Sequence, residues 1–82
     1  MPMSVDDAMA MFRDLLSELG REETAGRLSA DTTVKELDLD SLEILEFLML
    51  VDDRAGVEIE AEESGFDTSV GVLAELISQR SS

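Results

Sequence analysis

Residues 40–56 read Asp-Ser-Leu-Glu-Ile-Leu-Glu-Phe-Leu-Met-Leu-Val-Asp-Asp-Arg-Ala-Gly, and this stretch decides the fold. Asp40 can accept backbone hydrogen bonds as a helix N-cap, and Glu43 follows three residues later, as in a capping box. Gly56 suits the left-handed turn that ends many helices. The stretch therefore predicts a helix over residues 41–55.

The predicted helix is apolar on two sides. At about 100° per residue, a core stripe gathers on one side: Ile44, Phe47, Leu48, Val51 and Ala55. Leu42, Met49 and Leu50 fall on the other side, among Glu43, Glu46 and Asp53. A small bundle could wrap the helix and bury these apolar residues, which we expect for Leu50. For Leu42 and Met49 a docking surface remains equally open, because unpaired acids share their side.

A first helix precedes this stretch. Ser4 is placed to cap it, Asp6 and Asp7 suit its first turn, and apolar residues recur at spacings of three and four until Gly20 ends it. Residues 21–39 have mixed polarity, with Gly26 as a breaker, and predict a long connection.

Two further elements are expected after the central helix. Residues 61–66 leave room for one short helical turn. A last helix, capped by Asp67 or Thr68, follows with apolar positions at Val70, Leu73, Leu76 and Ile77. The 82 residues thus predict a single all-α domain, a four-helix bundle with a long first loop and a short third helix.

The composition of the chain limits the classes of function that it can have. The chain carries 20 acidic and 6 basic residues, a net charge of −14, which argues against nucleic acid and favours partner proteins with basic surfaces. It has neither cysteine nor histidine, so it lacks the usual nucleophile and base of an enzyme and the usual transition-metal ligands. With no membrane span or targeting signal apparent, we expect a cytoplasmic monomer without catalytic activity.

Ser41 is the residue best placed to carry chemistry. Unpaired backbone N–H groups and the helix dipole at its position favour an attached phosphate. The alternative interpretation is that Ser41 is an ordinary serine in the first helical turn, beside the Asp40 cap, with no chemical role. A calcium loop beginning at Asp38 is excluded by spacing, because Glu43 would replace its glycine and Met49 its terminal carboxylate. We expect no metal site.

The stretch Leu39, Asp40, Ser41, Leu42 resembles the attachment motif of the acyl carrier protein family of phosphopantetheine-binding domains. Glu43, Leu45, Glu46 and Met49 continue the likeness in the central helix, and residues 57–59 and 67–70 extend it over most of the chain. The resemblance implies a stand-alone carrier domain over residues 1–82.

The resemblance also implies a role for each matching residue. A phosphopantetheinyl transferase would attach 4′-phosphopantetheine from coenzyme A to Ser41, flanked by Asp40 and Leu42. The arm would hold acyl or aminoacyl groups as thioesters for polyketide, nonribosomal peptide or fatty acid biosynthesis. The residues implied to meet the loading and processing enzymes are Glu43, Glu46, Met49, Asp53 and Ile59.

Two other function classes stay open. The chain could be an unmodified acidic adaptor or inhibitor that docks a basic protein through helix 40–55. An enzyme that uses carboxylates alone as acid and base is the weakest alternative, because nothing in the sequence marks a concave site.

Overall fold

A computed structural model describes residues 3–37, 39–58 and 67–80. Most of these residues are helical. The elements are α1 (Val5–Glu18), α2 (Glu22–Arg27), a 3₁₀ helix (Val34–Leu37), α3 (Ser41–Ala55) and α4 (Val70–Arg80). Within the described ranges the only strand-like feature is an isolated antiparallel bridge between Thr33 and Ser69. A mostly helical fold is therefore confirmed.

Helix α1 begins and ends as the sequence predicts. The Ser4 hydroxyl accepts from the Asp7 amide at 3.0 Å, and the Asp7 carboxylate accepts from the Ser4 amide at 3.3 Å, which is a capping box. Gly20 follows the helix with a φ of 81°. The apolar face of α1 is buried from Ala8 onward, whereas Val5 is partly exposed at the first turn.

The predicted long connection over residues 21–39 is wrong in part, because it contains α2 and the 3₁₀ helix. Helix α2 buries Thr24 and Ala25, and the 3₁₀ helix buries Val34 and Leu37. Gly26 does not break α2, and a Cβ atom at this position would lie in open space. Two buried residues per element are too few to give a periodic apolar pattern in the sequence. These short helices form because they pack against the rest of the core.

Helix α3 agrees with its predicted bounds of 41–55. The Glu43 amide donates to Asp40 at 2.8 Å, and the Asp40 amide donates to Glu43 at 3.3 Å, which completes the predicted capping box. Gly56 ends the helix with a φ of 69°, a left-handed conformation that costs glycine little. The local signals at both ends agree with the core stripe, and this consistency explains why the prediction holds.

Helix α4 is capped by Ser69, not by Asp67 or Thr68. The Ser69 hydroxyl accepts from the Val72 amide at 3.3 Å. Beside the cap, the Val34 amide donates to the Thr68 carbonyl at 2.9 Å and the Val70 amide to the Thr32 carbonyl at 2.7 Å. These bonds fix the start of α4 against the segment that precedes the 3₁₀ helix.

Helix α1 packs against each of the other three α-helices in the described part of the chain, α2, α3 and α4. Phe12 of α1 and Phe47 of α3 are almost fully buried, and their ring centroids are 5.7 Å apart at a tilt of 52°, a favourable aromatic arrangement. The predicted core stripe of α3 is buried at Ile44, Phe47 and Val51. Leu48 and Ala55 pack at its margin.

Some sequence predictions lie outside the described residues. These are the helical turn over residues 61–66, the contact residue Ile59, and Asp38. In the part of the chain that the structure describes, no helix has the length and apolar character needed to cross a bilayer.

Candidate functional site

Ser41 is the first residue of α3 and is exposed to solvent. Its neighbour Asp40 accepts from the Glu43 amide and so holds the N-cap position. Within the described residues no hydrogen bond occupies the Ser41 hydroxyl, and the first amides of a helix lack intrahelical acceptors. An accessible hydroxyl at a helix N-terminus has the chemistry and the space to carry a phosphodiester.

The carboxylate of Glu43, two residues after Ser41, is paired within the chain. One guanidinium nitrogen of Arg21 contacts both Glu43 carboxylate oxygens, at 2.8 and 2.9 Å. The Arg21 side chain is 36% exposed and that of Glu43 is 26% exposed. The pair joins the residue that precedes α2 to the first turn of α3 and places one positive charge beside an acidic cap.

A second feature of α3 is an exposed apolar stripe with acids beside it. Leu42 is 68% exposed, Leu45 57% and Met49 70%, while Glu46 and Asp53 are also exposed. We call these five residues the docking face. Exposed apolar side chains that are contiguous on one helix and bordered by charge are typical of a protein-binding surface.

Leu50 was expected to be covered by the bundle, and this is wrong. It is 36% exposed and lines a shallow groove of about 260 Å³ with Glu46 and Met49. For Leu42 and Met49 the sequence left burial and exposure equally open. Both are exposed, because the described helices pack on the opposite side of α3.

The structure therefore brings Ser41, Asp40 and Leu42 to one end of α3 and leaves Glu46, Met49 and Asp53 along its outer side. Glu43 lies with the first group, half-buried in its pair with Arg21.

Two residues at the site, Leu45 and Arg21, were not predicted from the sequence to belong to it. Leu45 lies three residues after Leu42 and four before Met49, so helical spacing alone could have placed it on the docking face. Arg21 has no comparable signal, because its partner Glu43 is 22 residues away and only the tertiary fold brings them together.

The far end of α3 carries a different ion pair. A guanidinium nitrogen of Arg54 contacts a Glu18 carboxylate oxygen at 2.7 Å, and both side chains are about half exposed. Such a surface pair contributes little to stability. It offers a matched comparison for Arg21, because it is the same kind of contact at the opposite end of the helix.

A smaller, more polar hollow of about 110 Å³ lies away from α3, between Thr24, Arg27, Thr32 and Glu36. The Thr33 amide and hydroxyl both donate to the Glu36 carboxylate at 3.0 Å. Both hydrogen bonds lower the pKa of Glu36 below its ordinary value, and the bond from the Thr33 amide has the larger effect. In the described ranges, acidic side chains nowhere cluster in threes or more in a way that could hold a metal ion.

Comparison of the chain with models of protein families, with curated proteins and with solved structures found no match. The case for a function therefore depends on the chain's own residues.

Proposed function

We propose that this chain is a carrier protein that is modified with 4′-phosphopantetheine at Ser41. The observation that carries the proposal is the position of Ser41, an exposed hydroxyl with no hydrogen-bond partner among the described residues, at the first position of the central helix. The motif Asp40, Ser41, Leu42, which resembles that of acyl carrier proteins, stands at this helix start.

The transfer needs an enzyme, because the chain has neither histidine nor cysteine to activate the serine. A phosphopantetheinyl transferase would form a phosphodiester bond between Ser41 Oγ and the pantetheinyl phosphate of coenzyme A, with magnesium. The pyrophosphate linkage of coenzyme A breaks, adenosine 3′,5′-bisphosphate leaves, and the hydroxyl proton passes to the transferase. The attached arm supplies a thiol that holds an acyl or aminoacyl group as a thioester.

The docking face supplies the contact with the transferase and with the enzymes that load and process the cargo. Glu46 and Asp53 attract basic surfaces, and Leu42, Leu45 and Met49 offer apolar contacts between them. Recognition through exposed charge gives fast association and fast release, which a carrier that visits several enzymes requires. Carrier proteins of polyketide, nonribosomal peptide and fatty acid biosynthesis all visit several enzymes in this way. We expect this protein to act in the cytoplasm.

The test is to incubate the protein with coenzyme A, magnesium and a transferase of broad specificity, and to read the intact mass. The proposal predicts one added phosphopantetheine in the wild type and in Ser17→Ala, which removes another exposed serine, and none in Ser41→Ala.

An unchanged wild-type mass with a transferase that modifies a known carrier would contradict the proposal. The exposed apolar stripe of α3 would then favour the acidic adaptor that docks a basic protein without being modified.

A further inference from the structure

We propose that Arg21 is a positioning residue for the modification of Ser41: its ion pair with Glu43 holds the first turn of α3 in the geometry in which the hydroxyl is presented. This inference rests on the proposed function and adds to it a residue outside both the attachment motif and the docking face.

The Glu43 carboxylate is held from two directions. Glu43 Oε1 accepts from the Asp40 amide at 3.3 Å and from Arg21 at 2.8 Å, and Arg21 also reaches Oε2 at 2.9 Å. The capping box alone is a local contact, which opens when the end of a helix frays. Arg21 ties the same carboxylate to a residue 22 positions earlier in the chain, so the turn that contains Ser41 is held from outside the helix as well.

The backbone of Arg21 is itself anchored by hydrogen bonds. The Arg21 amide donates to the Leu16 carbonyl at 2.7 Å, and the Arg21 carbonyl accepts from the Ala25 amide at 2.9 Å. Its backbone is therefore joined to α1 and to α2. Because its backbone is fixed, the Arg21 side chain restrains the first turn of α3 relative to the junction of α1 and α2. An arginine on a free loop would not impose this restraint.

Arg21 also brings a positive charge to the first turn of α3. A phosphodiester on Ser41 would add a negative charge beside Asp40 and Glu43. Arg21 offsets the Glu43 carboxylate, and charge-assisted contacts are stronger in a half-buried setting than in open solvent. Removal of Arg21 would leave two uncompensated acids at the site of transfer.

The matched experiment compares Arg21→Gln with Arg54→Gln. Each substitution removes one guanidinium from an ion pair with a glutamate and makes the chain one unit more acidic. Modification rates are measured with a phosphopantetheinyl transferase over a range of carrier concentrations. Since added negative charge does not weaken docking to a basic enzyme, KM is expected to stay level or fall in both variants. The kcat of Arg21→Gln is expected to fall about fivefold, and that of Arg54→Gln to change less than about twofold.

Arg21→Lys tests rescue. A single arginine nitrogen makes the contact with both oxygens, so an ammonium group can take its place, and recovery of most of the lost kcat is expected. If Arg21→Gln does not fold, Glu43→Gln replaces it, because glutamine keeps the capping box but weakens the pair. Its matched control is Glu18→Gln, which also removes the glutamate of an ion pair and one negative charge, and a fall in kcat relative to that control is expected. Equal kcat values in the tested variant and its matched control would overturn the proposal.

Amide hydrogen exchange gives a readout that needs no enzyme. Faster exchange at the hydrogen-bonded amides of Asp40, Glu43 and Ile44 in Arg21→Gln than in Arg54→Gln supports the positioning role, and equal exchange contradicts it. If the wild-type chain is not modified at all, the carrier proposal fails by itself. The exchange comparison then decides whether Arg21 fixes this turn.

Discussion

The amide of Gly71, in the first turn of α4, donates to the carbonyl of Ala30 at 3.0 Å, so closely that no side chain fits between the two residues. A Cβ atom at residue 71 would lie 2.7 Å from the Ala30 oxygen. Glycine at this position appears in the sequence only as a weak point in a helix. In the structure it allows the segment after α2 to pack directly on α4.

Gly71→Ala is therefore expected to destabilise the protein. Overpacking costs about 1 to 3 kcal/mol, and a 2.7 Å contact with a backbone oxygen belongs in the upper part of that range, above the gain of roughly 1 kcal/mol that alanine brings to a helix. Urea unfolding followed by circular dichroism measures the difference. Gly26→Ala is the matched control, because open space surrounds Gly26 on α2, and its free energy of unfolding should stay level or rise. Equal effects at the two sites would contradict the close approach.

Reversal of charge on the docking face should slow modification without unfolding the chain. Glu46→Lys with Asp53→Lys is expected to lower kcat/KM of the transferase on the order of tenfold at low salt, with a smaller effect at high salt because exposed charges are screened. Asp14→Lys with Glu75→Lys is the control, since it changes the net charge equally through exposed acids on α1 and α4. The same loss in both double variants would mean that overall charge, and not this face, controls docking.

The contact between Thr33 and Glu36 gives a pH dependence whose sign follows from the lowered pKa of Glu36. The folded chain holds the ionised carboxylate more firmly than the unfolded chain does. The contribution to stability is thus present above the ordinary glutamate pKa of 4.5 and is lost as the pH falls through the lowered value.

Thr33→Val removes the hydroxyl but keeps the amide donor, so the pKa of Glu36 should move part of the way back up. Titration of the Glu36 carboxyl by NMR measures this shift. The unfolding free energies of the wild type and Thr33→Val should differ most above pH 4.5 and converge as the pH falls through the lowered pKa of Glu36. A Glu36 pKa that does not move in the variant would show that the hydroxyl contact is absent in solution.

The excess of acidic residues should make the fold sensitive to salt. With a net charge of −14, repulsion within the folded chain is reduced when the screening length shortens from about 30 Å at 0.01 M to about 8 Å at 0.15 M salt. The Tm is expected to rise over this range. Sucrose at matched osmolarity is the control, and a Tm that does not respond to salt would contradict the electrostatic account.

Features that depend on residues close together in the sequence could be predicted from it. The bounds of α3 could be predicted because Asp40, Glu43 and Gly56 act within one turn of the helix ends. The exposure of Ser41 followed from its place at the N-terminus of that helix. These contacts span three or four residues, so their spacing can be recognised in the chain itself.

What could not be predicted depends on residues far apart in sequence. Helix α2 is too short to form without the core it packs on, and its two buried residues give no period. The Arg21 and Glu43 pair, and the approach of Gly71 to Ala30, need the folded chain to bring together segments 22 and 41 residues apart. The burial expected for Leu50 failed for the same reason, because only the packed bundle decides which sides of α3 are covered.

The residue that carries the phosphopantetheine can be located by peptide mapping. Trypsin cleaves after Lys35 and Arg54, and the peptide of residues 36–54 contains Ser41 as its only hydroxyl side chain. After incubation with coenzyme A, magnesium and a phosphopantetheinyl transferase, the account predicts one phosphopantetheine on this peptide and none elsewhere. A peptide of unchanged mass, with a transferase that modifies a known carrier in the same tube, would contradict it.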